Sequence, residues 1–204
     1  MIAQLNTALK RVPPWSVYMM GLLLLAWLVA QVFTGGLGVD PVKAIEHQLG
    51  TLGLQFLLAG LCVTPLRRFA GLNMLRYRRA LGVVSFAFIS LHLTTWLILD
   101  LQLRWAEIGA DLYKRPYIIV GMLGLAAMVP LAVTYNTASI RKLGAAGWQK
   151  LHRLTYFAVF AGALHYLLLV KTWTAEPLAY FGVTLALLAL RVAPKRRPSP
   201  ARPA

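Results

Sequence analysis

The sequence predicts an all-α integral membrane protein, a bundle of six transmembrane helices with the N-terminus and the C-terminus both in the cytoplasm. Hydrophobic residues make up 59% of the 204 residues, and the mean hydropathy is +0.65. A soluble domain of ordinary composition is far more polar. Six apolar stretches and a strong charge asymmetry between alternate loops complete the case for this fold class.

The six apolar stretches run over residues 15–33, 49–64, 80–99, 117–135, 154–170 and 178–192. Most have the roughly 17–25 residues that a helix needs to cross the hydrocarbon, although the second and sixth are slightly short. Pro65 is expected to close helix two, and Pro116 and Pro177 to open helices four and six. Pro130 lies inside helix four and is expected to kink it.

The charges define the orientation. Alternate loops and both termini hold 16 of the 21 basic residues, whereas the other three loops hold all six acids and only five basic residues: Lys43, Arg104, Lys114, Arg115 and Lys171. The positive-inside rule therefore puts residues 1–14 and the tail 193–204 in the cytoplasm, with the membrane domain over residues 15–192. The tail is rich in Pro and Arg and is predicted to be disordered. The basic excess indicates topology and contact with anionic lipid, and no nucleic acid is expected as a partner.

Several function classes have little support in this chain. The single cysteine, Cys62, excludes an intramolecular disulfide and a thiolate metal cluster. No G-x-G-x-x-G or P-loop motif is present, and no histidine group offers the ligand set of a zinc hydrolase. Because the acids all lie in the outer loops, a proton-coupled transporter has few groups to use, and those acids are a possible docking surface for a partner.

Histidines within the membrane carry the chemistry that remains. His92 lies about 12 residues into helix three and His165 about 11 into helix five, or roughly 17 to 20 Å from the cytoplasmic boundary. Two neutral imidazoles at one depth can ligate a haem iron from both axial sides, which favours b-type haem and electron transfer. The alternative is that each histidine only hydrogen-bonds a neighbouring helix.

A second cofactor site is possible nearer the cytoplasm. His152 lies at the cytoplasmic start of helix five, and the position opposite it on helix three is Arg78. Arginine is a poor iron ligand but binds a haem propionate or a flavin phosphate well, so whether His152 ligates iron stays open. His47, in the outer loop before helix two, is expected to be interfacial and not a ligand.

The sequence resembles the ferric-reductase-like transmembrane family, and within it the haem-binding membrane subunits of the bacterial periplasmic protein-methionine-sulfoxide reductase system. The likeness is carried by His92 and by the motifs T-P-L-R-R at 64–68, R-R-A-L-G at 78–82, K-R-P-Y at 114–117, P-L-A-V-T at 130–134, W-Q-K-L-H-R at 148–153 and L-H-Y at 164–166. These motifs span nearly the whole membrane domain.

The resemblance implies a multi-pass protein of the bacterial inner membrane in which His92 and His165 ligate the outer haem and His152 belongs to an inner site. Two-haem members of the wider family have a histidine where this chain has Arg78, so one or two haems are expected. The resemblance also implies bound FMN. Electrons would come from a cytosolic flavin reductase or quinol and pass to a periplasmic molybdopterin-containing methionine sulfoxide reductase subunit, which carries the sulfoxide-reducing site itself. The alternatives are a stand-alone ferric or quinone reductase and a non-haem transporter or scaffold.

Overall fold

The computed structural model describes residues 1–170, 172 and 174–192, and it is all-helical over them. Lys171 and the predicted disordered tail lie outside the described residues. The α-helices are α1 (Ile2–Arg11), α2 (Trp15–Thr34), α3 (Pro41–Phe69), α4 (Arg78–Thr94), α5 (Trp105–Lys114), α6 (Pro116–Val133), α7 (Thr137–Leu151), α8 (Leu154–Leu169) and α9 (Ala175–Val192). A 3-10 turn at Leu75–Tyr77 precedes α4, and a π-helical turn at Thr95–Asp100 continues it.

Four of these segments are long and apolar enough to cross a membrane: α2, α3, α4 with its flanking turns, and α6. The helix α8 is apolar but shorter. The six predicted stretches correspond to α2, α3, α4, α6, α8 and α9, and the all-helical membrane fold is confirmed at that level. The positions of Pro116 and Pro130, at the start of α6 and inside it, also agree with the prediction.

The prediction that Pro65 closes helix two is wrong. The helix α3 begins at Pro41, eight residues before the predicted start, and continues through Pro65 to Phe69. A proline has no N–H for the carbonyl four residues earlier, so Leu61 loses its helical partner. The guanidinium Nη2 of Arg191 on α9 donates to that carbonyl oxygen at 2.7 Å, which satisfies the backbone where the proline would otherwise end the helix.

Three helices lie where no helix was predicted, one in the N-terminal segment and two in loops. They are the amphipathic segments α1, α5 and α7, which lack the long apolar run of a spanning helix. The amide of Asn6 on α1 donates to the Gly71 carbonyl, and the Tyr77 hydroxyl hydrogen-bonds the Leu9 carbonyl at 2.7 Å. The helix α1 is thus fixed to the connection between α3 and α4.

The closest helix pairs are α3 with α4 and α6 with α8. Small residues allow each approach, as is common between membrane helices. A Cβ on Gly53 would lie 2.5 Å from Ile89 of α4, and a Cβ on Gly124 would lie 3.2 Å from Ala161 of α8. The Ser85 hydroxyl donates to the Gly53 carbonyl at 2.7 Å across the first pair. Each pair carries one of the membrane histidines.

We expect Arg191→Met to lower the free energy of unfolding by about 1–3 kcal/mol, because the Leu61 carbonyl would be left buried without a partner. In a Pro65→Ala background the new amide N–H can bond that carbonyl, so the same substitution should cost much less. Thermal unfolding of the four proteins of this cycle in detergent measures the difference. Equal losses in both backgrounds would show that Arg191 does not compensate for the proline.

Candidate functional site

A cavity of about 400 Å³ lies between α3, α4, α6 and α8, and both His92 and His165 line it. Most of the other side chains that line it are apolar. The charged or titratable ones are Lys43, Glu46, His47, Arg115, Tyr117 and Tyr166. His92 and His165, which the sequence predicts to lie at the same depth in the membrane, therefore line the same cavity. His47 is not in a loop as predicted: it is an exposed residue of α3 that lines the same cavity.

His92 is oriented by the helix beside it. Its Nδ1 lies 2.8 Å from the carbonyl oxygen of Glu46 on α3. Because a carbonyl oxygen only accepts, Nδ1 donates its hydrogen, and the neutral ring keeps its lone pair on Nε2. A histidine held in this way is prepared to ligate a metal through Nε2.

His165 has the same arrangement on the other helix pair. Its Nδ1 lies 2.7 Å from the carbonyl oxygen of Tyr117 on α6, so it too keeps the Nε2 lone pair. The two ring centres are 6.2 Å apart, with 74° between the ring planes. Two imidazoles on one metal ion, with bonds of about 2 Å and about 1.1 Å from nitrogen to ring centre, have ring centres about 6 Å apart. The two histidines are therefore spaced as they would need to be to ligate one haem iron.

Two glycines that sequence analysis did not single out make this geometry possible. A Cβ on Gly50 would lie 3.1 Å from His92 Nδ1, and a Cβ on Gly121 would lie 2.8 Å from His165 Nδ1. Each glycine follows the accepting carbonyl by four residues, since Glu46 precedes Gly50 as Tyr117 precedes Gly121. The available signal is the spacing G-x-x-G, which occurs at 50–53 on α3 and again at 121–124 on α6.

The acids beside this cavity are compensated within the chain. Lys43 binds both Glu46 and Asp100, Arg104 pairs with Glu107 at 2.8 Å, and Arg115 pairs with Asp111 at 3.2 Å. The Lys43 amide donates to Asp40, and Glu176 hydrogen-bonds Tyr166. Four of the six acids, Glu46, Asp100, Glu107 and Asp111, are thus paired with cations, and a docking surface at the acids stays a prediction.

A second cavity, of about 620 Å³, contains the other predicted site residues, His152 and Arg78. The prediction that His152 lies on the helix that carries His165 is wrong. His152 lies in the turn between α7 and α8. Its ring stacks on Trp148 with ring centres 3.8 Å apart, and its Nε2 lies 3.3 Å from the Thr134 hydroxyl oxygen. Burial, and next the charge of Arg78, lower the pKa of His152, an effect that a hydrogen bond to the Thr134 backbone only partly offsets.

The structure therefore groups the predicted residues into two pairs, His92 with His165 and His152 with Arg78. Among the described residues, no group of three or more His, Cys, Asp or Glu side chains could hold a metal ion. A metal in the first cavity would accordingly need its remaining ligands from a cofactor such as a porphyrin.

Comparison with known proteins gives a consistent set of matches. The sequence profile of the family described as "Ferric reductase like transmembrane component" matches residues 47–163. Proteins of Brucella ovis, Brucella abortus and Brucella suis, each named protein-methionine-sulfoxide reductase heme-binding subunit MsrQ, are 44% identical to this chain over 199 residues. The alignment covers 95% of this chain and 90% of each relative. No solved structure matches the chain.

We expect Gly121→Ala to lower the free energy of unfolding by about 1–3 kcal/mol, because its methyl group would overlap the His165 ring. Gly182→Ala on α9 is the matched control, since a Cβ there meets nothing within 4 Å. Alanine is the better helix former by up to about 1 kcal/mol, so the control should be neutral or stabilised. Thermal unfolding in detergent compares the two variants, and equal stabilities would contradict the close contact.

Proposed function

The chain belongs to the ferric-reductase-like transmembrane family, and from that membership we propose that it is a haem b electron-transfer subunit of a bacterial methionine sulfoxide reductase system. The family and the relatives named as heme-binding subunits of that system support the proposal at 44% identity over nearly the whole chain. The observation that carries it is the pairing of His92 and His165, each with Nδ1 bound to a carbonyl and Nε2 left for a metal.

Each protein group has a defined role in such a site. His92 and His165 would ligate the iron, the carbonyls of Glu46 and Tyr117 fix the tautomer and orientation of the rings, and the apolar lining would surround the porphyrin. A bound haem would supply one-electron transfer, and two histidine ligands would favour that chemistry over oxygen activation.

The second cavity, with His152 and Arg78, would hold a further cofactor nearer the electron donor. The resemblance to the family implies FMN, and it leaves iron ligation by His152 as the alternative. An arginine in this position suits an anionic group such as a phosphate or a propionate.

The protein is a multi-pass membrane protein by its family, and we place it in the bacterial inner membrane with six spans and both termini in the cytoplasm. The basic residues of the alternate loops support this orientation. The second cavity then lies toward the cytoplasm and the His92–His165 cavity toward the periplasm.

The proposed electron path begins at a cytosolic flavin reductase or at quinol and ends at a periplasmic molybdopterin-containing catalytic subunit. Reduction of a methionine sulfoxide to the thioether takes two electrons and two protons and releases one water molecule. This chain would deliver the electrons one at a time, whereas the partner would break the S–O bond. A stand-alone ferric or quinone reductase would use the same haem but would need no periplasmic partner.

The visible spectrum tests the haem site directly. We expect the detergent-purified protein, oxidised and then reduced with dithionite, to show sharp low-spin b-type bands. His92→Ala and His165→Ala should each lose them, because the iron loses an axial ligand. His47→Ala is the matched control, since His47 lines the same cavity but is exposed, and it should keep the bands.

Two outcomes would overturn this assignment. A colourless wild-type protein would favour the transporter or scaffold alternative, and unchanged bands in both ligand variants would move the haem elsewhere. Loss of acceptor reduction with the bands intact would instead indicate a defect in partner binding.

Reporter fusions test the orientation. We expect a fluorescent protein that folds only in the cytoplasm to fluoresce at either terminus, and alkaline phosphatase inserted after Leu103 to be active, because that loop belongs to the acid-bearing end. Dark terminal fusions with an inactive phosphatase insertion would indicate the opposite orientation.

A further inference from the structure

The helix α1 is amphipathic, and the bundle covers only part of its apolar side. With 3.6 residues per turn, Ile2, Leu5 and Leu9 share an arc of about 60°, and Thr7 lies on the opposite side. Leu9 packs against the core, whereas Ile2 and Leu5 keep 50% and 47% of their surface exposed. Lys10 ends the helix among polar neighbours. An exposed apolar side with basic residues beside it is typical of a helix that lies in a membrane surface.

Hydrogen bonds fix the level of α1 relative to the spanning helices. The Asn6 amide donates to the Gly71 carbonyl at 3.0 Å, and the Asn6 side-chain oxygen accepts from the Asn73 backbone N–H at 2.9 Å. The Tyr77 hydroxyl lies 2.7 Å from the Leu9 carbonyl oxygen. Because these partners belong to the connection between α3 and α4, α1 lies where the apolar spans end, which is the level of lipid headgroups.

Large aromatic side chains are exposed at the same level. Trp15, the first residue of α2, is 60% exposed, and Phe69, the last residue of α3, is 64% exposed. Aromatic rings at the ends of spanning helices commonly lie in the interface between acyl chains and headgroups. The exposed side of α1 therefore continues an apolar surface that already reaches the bilayer.

The basic residues at this level have no acidic partner. Lys10 and Arg11 end α1, Arg67 lies in the last turn of α3, and Arg76 precedes α4. None of these four forms an ion pair with a residue that the structure describes. The segments 1–39 and 47–99 contain no Asp or Glu at all. A guanidinium nitrogen of Arg76 donates to the Lys10 carbonyl at 2.9 Å, which holds α1 close to a further positive charge. Such a cluster at the membrane surface favours anionic lipid.

We propose that α1 and the connection between α3 and α4 form a binding surface for anionic phospholipid. Ile2 and Leu5 enter the edge of the acyl-chain region, and Lys10, Arg11 and Arg76 contact the headgroup phosphates. Because α1 is hydrogen-bonded to the residues that precede α4, bound lipid also holds the start of that helix in place. The surface is separate from both cavities and does not depend on the cofactor that either one holds.

Spin labels test the depth of α1. In a Cys62→Ala background, Leu5→Cys and the matched control Thr7→Cys are labelled in the full-length protein, which is then reconstituted into bilayers of phosphatidylcholine and phosphatidylglycerol. We expect the label at position 5 to collide mainly with oxygen, which is concentrated among acyl chains. The label at position 7 should collide mainly with a water-soluble nickel chelate. Equal, water-like accessibility of both labels would overturn the proposal.

The charge contacts are tested by lipid titration. The full-length protein in a neutral detergent is titrated with phosphatidylglycerol or with phosphatidylcholine of the same acyl chains, and bound lipid is counted by native mass spectrometry. We expect the wild type to prefer phosphatidylglycerol. Lys10→Gln and Arg11→Gln should each weaken its binding about fivefold, since a basic residue near an anionic lipid surface contributes about 1 kcal/mol. Binding of phosphatidylcholine should change little.

The control for this titration is Lys114→Gln, which removes an exposed lysine at the end of α5 and should bind phosphatidylglycerol like the wild type. Thermal unfolding without added lipid, unchanged from the wild type, shows that each variant has folded. Equal affinity of the wild type for the two lipids would overturn the proposal, as would an equal loss in Lys114→Gln and the two α1 variants.

Discussion

The arrangement of the bundle depends on one interaction, the hydrogen bond from a histidine Nδ1 to a main-chain carbonyl of the neighbouring helix. The Glu46 and Tyr117 carbonyls are inside helices, yet each oxygen has a second lone pair that can accept from His92 or His165. The ring must then lie against the backbone of that helix, and only a residue without a side chain four positions later leaves room for it. The close packing of α3 on α4 and of α6 on α8 follows from the same requirement.

Much of the fold could be predicted from the sequence because a bilayer imposes a simple rule on spanning helices. The six apolar stretches identify α2, α3, α4, α6, α8 and α9. The rule does not identify α1, α5 and α7, because these helices lack a long apolar run. It also fails at Pro65, which does not end its helix because the distant Arg191 satisfies the freed carbonyl. No local pattern connects residues 65 and 191.

The candidate site was predictable to a similar degree. Equal depth on two helices brought His92 and His165 together, because position along a helix axis follows directly from residue number. The glycines beside them were missed, since glycine is common in membrane helices and its contacts depend on which faces meet. The position of His152 was missed because the chain turns between α7 and α8, so counting residues along one continuous helix gave the wrong geometry.

The two ends of the bundle differ in how their charges are compensated, and this difference suits the electron path that we propose. Lys43 and Arg115 beside the histidine cavity are paired with acids, whereas Arg78, Arg79 and Arg153 beside the other cavity form no ion pair with any described residue. On our proposal, this end of the bundle would bind an anionic cofactor near the donor. A haem iron held by two histidines would pass electrons without protons, so in the proposed path the two protons for each sulfoxide would be taken up on the acceptor side. On the proposed orientation, each electron moves from the negative to the positive side of an energised membrane. That movement is favourable by about 2.3 kcal/mol for each 100 mV of membrane potential, so the potential itself helps drive reducing equivalents outward to repair.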